Sequence, residues 1–121
     1  MSYRSEVGCL ITVPNKVNSG KLLKRLEKVY GECFSSDFDV VKEYRRYTSR
    51  CIYLHADWIK WYGCFEDISA FMDFIGSWPY KTGGVHFVRI GESVDDVEEA
   101  CYGDPQEFLD ICRYIGIPQA S

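Results

Sequence analysis

The first thirty residues contain two different hydrophobic periods. Residues 6–13 are rich in β-branched residues, with apolar side chains at every second position, which predicts a first strand. From Leu22 to Tyr30 the apolar residues recur at i, i+1, i+4, i+7 and i+8, with lysine and arginine between them. That pattern predicts an amphipathic helix over about 20–30, and Asn18 or Ser19 can cap its start.

The middle of the chain is dense in β-branched and aromatic residues. Val40, Val41, Tyr44 and Tyr47 fit a helical spacing, but valine, tyrosine and threonine favour strands, so residues 38–48 are predicted to be a strand. The stretch from Arg50 to Tyr62 predicts a long strand with a bulge, or one divided by a turn at Asp57. If residues 38–48 are helical instead, the sheet is smaller and has more helical cover.

The second half predicts two helices around one strand. After Gly63, apolar residues at i, i+3, i+4 and i+7 indicate a helix that ends at Gly76, and residues 85–90 indicate a strand. The last helix is predicted from a capping pattern of Asp104, Pro105 and Glu107. Its buried stripe would contain Phe108, Ile111, Cys112 and Ile115.

The predicted order β-α-β-β-α-β-α indicates an α+β fold. A β-α-β-β-α-β unit that closes on one antiparallel sheet is the ferredoxin-like arrangement, with the helices on one face of the sheet and here with an added C-terminal helix. At 121 residues the chain is predicted to form a single domain over residues 1–121.

Cysteine usage and hydropathy predict a cytoplasmic protein without a cofactor. No apolar segment resembles a signal peptide or a membrane span, so the six cysteines are expected to stay reduced. Cys9, Cys51 and Cys112 lie on apolar faces of their predicted elements. The sequence has no Cys-x-x-Cys pair and its two histidines lie far apart, so a structural zinc site is not predicted. Glu92, Asp95, Asp96, Glu98 and Glu99 could supply oxygen ligands to Mg²⁺ or Ca²⁺, but a solvated segment is the preferred interpretation and no metal site is predicted.

Charge is distributed unevenly along the chain. Residues 1–60 have a net charge of +4 and residues 61–121 a net charge of −8, within a total of −4. Eight acidic residues and no basic residue occur from Glu92 to Asp110. This pattern predicts either a solvated acidic face or an electrostatic partner surface. The partner surface would include Glu92, Asp95, Asp96, Glu98 and Glu99 in a solvated loop or short helix.

Nineteen aromatic residues are more than a small core needs, so some are expected at the surface. In a continuous strand Trp58 and Tyr62 would share one face and Trp61 would point to the other. Exposed Trp and Tyr are enriched at protein–protein hot spots. These three residues are therefore predicted to contribute to partner binding, against the alternative that they fill the core.

A second hypothesis is nucleic-acid binding by a basic and aromatic stretch that combines phosphate-binding charge with stacking rings. Its residues are Lys42, Tyr44, Arg45, Arg46, Tyr47 and Arg50. The stretch lacks the RNP1 signature and the sequence pI is about 5.1, so direct nucleic-acid binding is not the preferred interpretation.

Catalytic motifs are missing from the sequence. It has no Gly-x-Ser-x-Gly elbow and no recognisable Cys/His catalytic pattern, and Gly83-Gly84 precedes a strand rather than a helix. The acidic residues after Ile90 do not have the spacing of an EF-hand loop. The sequence therefore predicts a protein that is not an enzyme.

The run Trp58-Ile-Lys-Trp-Tyr62, the helix after it, and Phe87-Val-Arg-Ile-Gly-Glu92 followed by Asp95-Asp96 and Glu98 resemble a family of small uncharacterised tailed-bacteriophage proteins. The resemblance covers roughly residues 50–103. It implies a phage protein that acts in the host cytoplasm, and it transfers no catalytic residue.

Together these features predict a non-catalytic protein-binding module of unknown oligomeric state. Its acidic surface would present carboxylates to a basic site on a host protein that handles nucleic acid, and would inhibit or modify that protein.

Overall fold

The computed structural model describes residues 3–111 and 115–117 and has a five-stranded antiparallel sheet at its centre. The strand order is β2-β3-β1-β4-β5, so the first strand lies in the middle. The strands are β1 Ser5–Pro14, β2 Val40–Arg46, β3 Ser49–Ile59, β4 Gly84–Gly91 and β5 Val97–Gly103. The helices are α1 Ser19–Tyr30, α2 Phe34–Asp37 and α3 Glu66–Gly76, and a small hairpin follows with β6 Asp110–Ile111 and β7 Ile115–Gly116.

The first face of the sheet carries the odd-numbered residues of β1 and is covered by α1 and α3. Alternate residues of a strand point to one face, and the helical repeat of apolar residues gives each helix one stripe to bury. The main cluster therefore contains residues from both layers. Its members include Cys9 and Ile11 of β1, Leu26 of α1, Phe71 and Ile75 of α3. Each fully buried side chain of this kind stabilises the fold by about 1.5–3 kcal/mol.

The second face carries the even-numbered residues of β1 and has its own apolar cluster. Leu10, Cys51, Tyr53 and Val88 come from the sheet. Leu109 packs against them from the segment after β5. Part of the second face is thus covered by the C-terminal part of the chain rather than by a helix.

Most predicted elements are confirmed. Residues 40–46 form a strand, α1 begins after Asn18, whose side chain accepts the Lys21 N–H, and α3 ends at Gly76. The α+β class is confirmed, but the four-stranded ferredoxin-like order is not matched, because a fifth strand extends the sheet beside β4. That strand, β5, forms where the sequence predicted an acidic loop or short helix.

The predicted C-terminal helix is wrong. Residues 104–109 are not helical, and residues 110–111 pair with residues 115–116 as strands, while Cys112 lies outside the described residues. The Glu107 N–H donates to Thr12 Oγ1 at 3.3 Å and the Leu109 N–H donates to His86 Nδ1 at 2.8 Å. In the predicted helix the Glu107 N–H would be capped by the Asp104 side chain and the Leu109 N–H would bind the Pro105 carbonyl, so tertiary acceptors replace both partners. The Glu107 side chain pairs with Arg46.

Cys9 and Cys51 are buried, as their positions on apolar faces predicted. Within the described residues, none of the helices combines the length and the hydropathy needed to cross a lipid bilayer.

Candidate protein-interaction surface

Several chain segments meet at one end of the sheet. At that end Ser5 of β1 pairs with Ile59, near the end of β3, and with Gly91, at the end of β4. The pairing brings together Arg4, Trp58, Tyr62 and the loop of residues 92–96. We call these residues the Trp58 surface.

Trp58 lies in a β-bulge. Ser5 pairs with Ile59 but Val7 pairs with Ala56, so both Asp57 and Trp58 of β3 lie opposite the single residue between Ser5 and Val7. The bulge puts Trp58 at φ 55°, in the left-handed region that non-glycine residues rarely adopt, and leaves the residue 61% exposed. Bulges of this kind redirect a side chain and are common beside functional sites. The bulge was one of the sequence predictions, whereas a dividing turn at Asp57 is not what the strand shows.

Arg4 connects Trp58 to the 92–96 loop. Its guanidinium Nη1 donates to the Trp58 carbonyl oxygen at 3.2 Å, and its backbone N–H donates to Glu92 Oε2 at 3.2 Å. A shallow groove between these groups is lined by residues that include Asp57, Trp58, Gly91 and Glu92. The aromatic and acidic parts of the predicted site therefore border the same groove.

Tyr3 fixes Tyr62 and the loop in the same region. The Tyr3 N–H donates to Tyr62 Oη at 2.9 Å, and the Tyr62 hydroxyl donates to the Tyr3 carbonyl at 3.1 Å. The Tyr3 hydroxyl donates to Asp96 Oδ2 at 2.6 Å and accepts the Ser93 N–H. The Tyr62 and Phe65 rings also meet edge to face, with centroids 5.2 Å apart.

Three of the five acidic residues that were predicted to bind a partner are bound by Arg89 or His86 of β4. Arg89 binds Asp96 and Glu98, and His86 Nε2 lies at hydrogen-bond distance from Glu99. Hydrogen bonds from Arg89 and Tyr3 lower the pKa of Asp96 to about 2. The negative charge that this surface offers to a partner is therefore smaller than the number of carboxylates predicts.

The structure does not bring all the predicted partner-binding residues together. Arg4 connects Trp58 with Glu92, and Tyr3 connects Tyr62 with Asp96. Asp95 is an exposed residue of the same loop. Glu98 and Glu99 are adjacent in β5, so they point to opposite faces of the sheet.

Trp61 lies apart from the other predicted partner-binding residues because β3 ends at Ile59. Its half-buried ring packs against the core, next to Tyr30, Phe38, Phe71 and Phe87. The expectation that Trp58 and Tyr62 share a strand face is therefore wrong.

The basic and aromatic stretch does not form one surface. By strand alternation Lys42, Tyr44 and Arg46 lie on the second face and Arg45 on the first, across from Arg50 of β3, while Tyr47 occupies the turn at the opposite end from Trp58. The Arg46 guanidinium binds Glu107. Leu109 and Ile117 also cover part of the second face, where a sheet-type nucleic-acid platform would lie.

One described group of side chains has the spacing of a metal site. Potential ligand atoms of Cys33, Asp37 and Asp67 lie within 4.8 Å of one another, next to α2 and the start of α3. The group is partly solvent-exposed, and the Asp37 carboxylate accepts the Tyr30 hydroxyl at 2.6 Å. The predicted acidic residues from Glu92 to Glu99 do not form a second such group among the residues described.

His55 is bound by two carboxylates on the second face. Its Nε2 lies 2.7 Å from Glu6 Oε2 and its Nδ1 3.0 Å from Asp39 Oδ1. Burial lowers the pKa of His55, but the hydrogen bonds to Glu6 and Asp39 outweigh burial and the pKa is raised above its usual value of 6.5. The arrangement favours the doubly protonated imidazole.

Sequence reasoning missed Tyr3, Arg4 and Arg89. Arg89 had a signal: it is the one charged residue between Val85 and Ile90, and a charge in a buried strand needs a partner. The roles of Tyr3 and Arg4 depend on contacts with residues more than fifty positions away, which no local pattern reports.

Comparison with protein-family models, with curated proteins and with solved structures found no match for this chain.

Proposed function

We propose that this protein is a non-catalytic module that binds another protein through the Trp58 surface. The observation that carries the proposal is the exposed Trp58 ring on a left-handed backbone, in a strand bulge and beside a groove that Glu92 also lines. Tyr47 is also exposed at positive φ, but it lies in the turn between β2 and β3. A non-glycine residue at positive φ costs stability in the free protein, and strained residues of this kind cluster at functional sites. Large exposed rings are also the side chains most often found at binding hot spots.

The charge beside Trp58 supports a basic partner site. Glu92 lines the groove with Trp58, and the exposed Asp95 lies in the same loop. Carboxylates next to an aromatic anchor complement lysine and arginine, which proteins that handle nucleic acid use to bind phosphates. The resemblance to small phage proteins supports a bacterial host protein of this class, a defence protein in the host cytoplasm. Binding there would inhibit or modify that protein.

The experiment captures partners from a bacterial host lysate with the tagged full chain and then measures nucleic-acid binding by the captured protein. Trp58→Ala is expected to weaken capture by about 30-fold, the effect of losing a hot spot of about 2 kcal/mol. The double variant Glu92→Lys with Asp95→Lys reverses the charge of the 92–96 loop and leaves the pairing of Arg89 with Asp96 and Glu98 unchanged. Tyr47→Ala is the matched control, because Tyr47 is an exposed aromatic residue, 83% accessible, at the opposite end of the sheet.

The proposal requires that the chain reduces nucleic-acid binding by the captured protein. Equal capture by the wild type and Trp58→Ala would contradict the proposed surface. Capture of a protein without affinity for DNA or RNA would contradict the proposed partner class.

A further inference from the structure

The two edges of the sheet are unpaired within residues 3–111 and 115–117. There β2 hydrogen-bonds with β3 and β5 with β4, so each edge strand has one side without a strand partner. Both strands are seven residues long. Val40 and Val41 at one edge and Val97 at the other are exposed. Exposed edges with apolar side chains are templates for pairing with another strand.

The two edges carry opposite charge. The exposed charged residues of β2 are the cations Lys42 and Arg45 and the carboxylate Glu43, which leaves this edge net positive. The β5 edge carries Glu98 and Glu99, which also bind Arg89 and His86 of β4. This difference follows from the sequence, because β2 belongs to the basic half of the chain and β5 to the acidic half. Contact between two β2 edges or two β5 edges would bring like charges together, and only contact between unlike edges is complementary.

The β2 edge of one copy and the β5 edge of the next also match in strand direction and in the faces to which their charged residues point. Neighbouring strands are antiparallel throughout, so β2 and β5, at the two ends of a five-strand order, run in the same direction. Lys42 and Glu99 point to the second face, and Arg45 and Glu98 to the first. A second copy in the same orientation therefore puts a cation of β2 and a carboxylate of β5 on the same side of the joined sheet, at each of its two faces.

We propose that the chain associates with further copies of itself head to tail, with the β2 edge of one copy pairing in parallel with the β5 edge of the next. The contact uses main-chain hydrogen bonds for affinity and the opposite charges for orientation. A head-to-tail contact leaves one unpaired edge at each end, so association is open-ended unless the rotation closes a ring. The proposal concerns purified protein alone and does not depend on the partner proposed above.

The test is analytical ultracentrifugation of the full-length chain over a range of concentration and salt. The wild type is expected to show a mean mass that rises with concentration and falls with added salt, because salt screens the attraction between the edges. Lys42→Glu with Arg45→Glu is expected to weaken association at least about tenfold. Lys24→Glu with Lys28→Glu is the matched control, since it makes the same change in net charge on the exposed side of α1.

A second variant tests the other edge. Val97→Lys with Cys101→Lys places two cations on the second-face side of β5, where they would meet Lys42 of the next copy. Each edge variant alone is expected to associate at least about tenfold more weakly than the wild type. An equimolar mixture is expected to associate again, because each variant supplies the edge that the other lacks. Circular dichroism checks that each variant is folded.

Three results would overturn the proposal. The first is a wild type that stays monomeric at its highest concentration in low salt. The second is an edge variant that associates as strongly as the α1 control, which would assign association to another surface. The third is a mixture of folded edge variants that stays monomeric.

Discussion

Arg89 holds Asp96 with both terminal nitrogens of its guanidinium, Nη2 at 2.8 Å from Oδ1 and Nη1 at 3.2 Å from Oδ2. This paired geometry is the one in which an arginine binds a carboxylate most strongly. It ties the 92–96 loop to β4, while the Tyr3 hydroxyl binds the same carboxylate from the N-terminal side. The loop beside Trp58 is therefore oriented before any partner arrives.

The first prediction concerns the titration of Asp96. Arg89→Gln removes the main cause of the lowered pKa, so we expect the pKa of Asp96 to rise from about 2 towards 3.8. Because the folded-state pKa is lowered, the wild-type pair stabilises the fold above pH 3.8 and this stabilisation is lost as the pH falls through about 2. NMR titration of the side-chain carboxyl carbons measures the shift, with Lys24→Gln as a remote control. An unchanged pKa in Arg89→Gln would assign the effect to Tyr3 alone.

The second prediction concerns the backbone of Trp58. In the left-handed region a Cβ atom costs about 1 kcal/mol, which glycine avoids. Trp58→Gly is therefore expected to be more stable than Trp58→Ala by about 1 kcal/mol in urea denaturation, although both remove the ring. The usual order, with alanine the more stable, would show that the bulge does not hold Trp58 at positive φ in solution.

The third prediction distinguishes the observed C-terminal segment from the helix that the sequence predicted. Leu109→Ala is expected to cost about 2–3 kcal/mol, because Leu109 is buried on the second face. Phe108→Ala is expected to cost only about 1 kcal/mol, because its ring is half-exposed against His86. Chemical denaturation of both variants measures the difference. A helix with Phe108 on its buried stripe would give the reverse order.

The fourth prediction is a pH dependence from His55. The pKa of His55 is raised in the folded state by its hydrogen bonds to Glu6 and Asp39. The stabilisation that this pairing gives the fold is therefore fully present below pH 6.5 and is lost as the pH rises through the folded-state pKa. The wild type is therefore expected to exceed His55→Gln in free energy of unfolding by more at about pH 6 than at about pH 9. Replacing Glu6 with Gln and Asp39 with Asn together should lower the pKa of His55 in an NMR titration. A stability difference that grows with pH would contradict the paired geometry.

The elements with strong local patterns were predictable. The spacing of Leu22, Leu26 and Tyr30 defines one face of a helix whatever the helix packs against, and the alternation in residues 6–13 does the same for a strand. Local chemistry also placed the start of α1, since the Asn18 side chain reaches a backbone N–H only three residues away.

The C-terminal segment shows where such patterns fail. Asp104, Pro105 and Glu107 form a good helix start in isolation, but Glu107 instead binds Arg46, which is sixty-one positions earlier in the chain. Helix-capping preferences are worth about 1 kcal/mol, so the burial of Leu109 on the sheet is enough to override them. The strand β5 formed in an acidic segment for a related reason: it pairs along its length with β4.

Residue types and neighbours a few positions away decide which residues prefer helix or strand, which side chains must be buried, and how charge divides between the two halves of the chain, so these features could be predicted. The folded structure was needed to show that Trp58 faces solvent while Trp61 packs against the core, and that Arg89 and His86 bind three of the eight acidic residues from Glu92 to Asp110. Those outcomes depend on the β3 bulge and on strand register, which place residues far apart in the chain within hydrogen-bond distance. The free energies that choose among such pairings come from long-range packing, and no short window of sequence contains them.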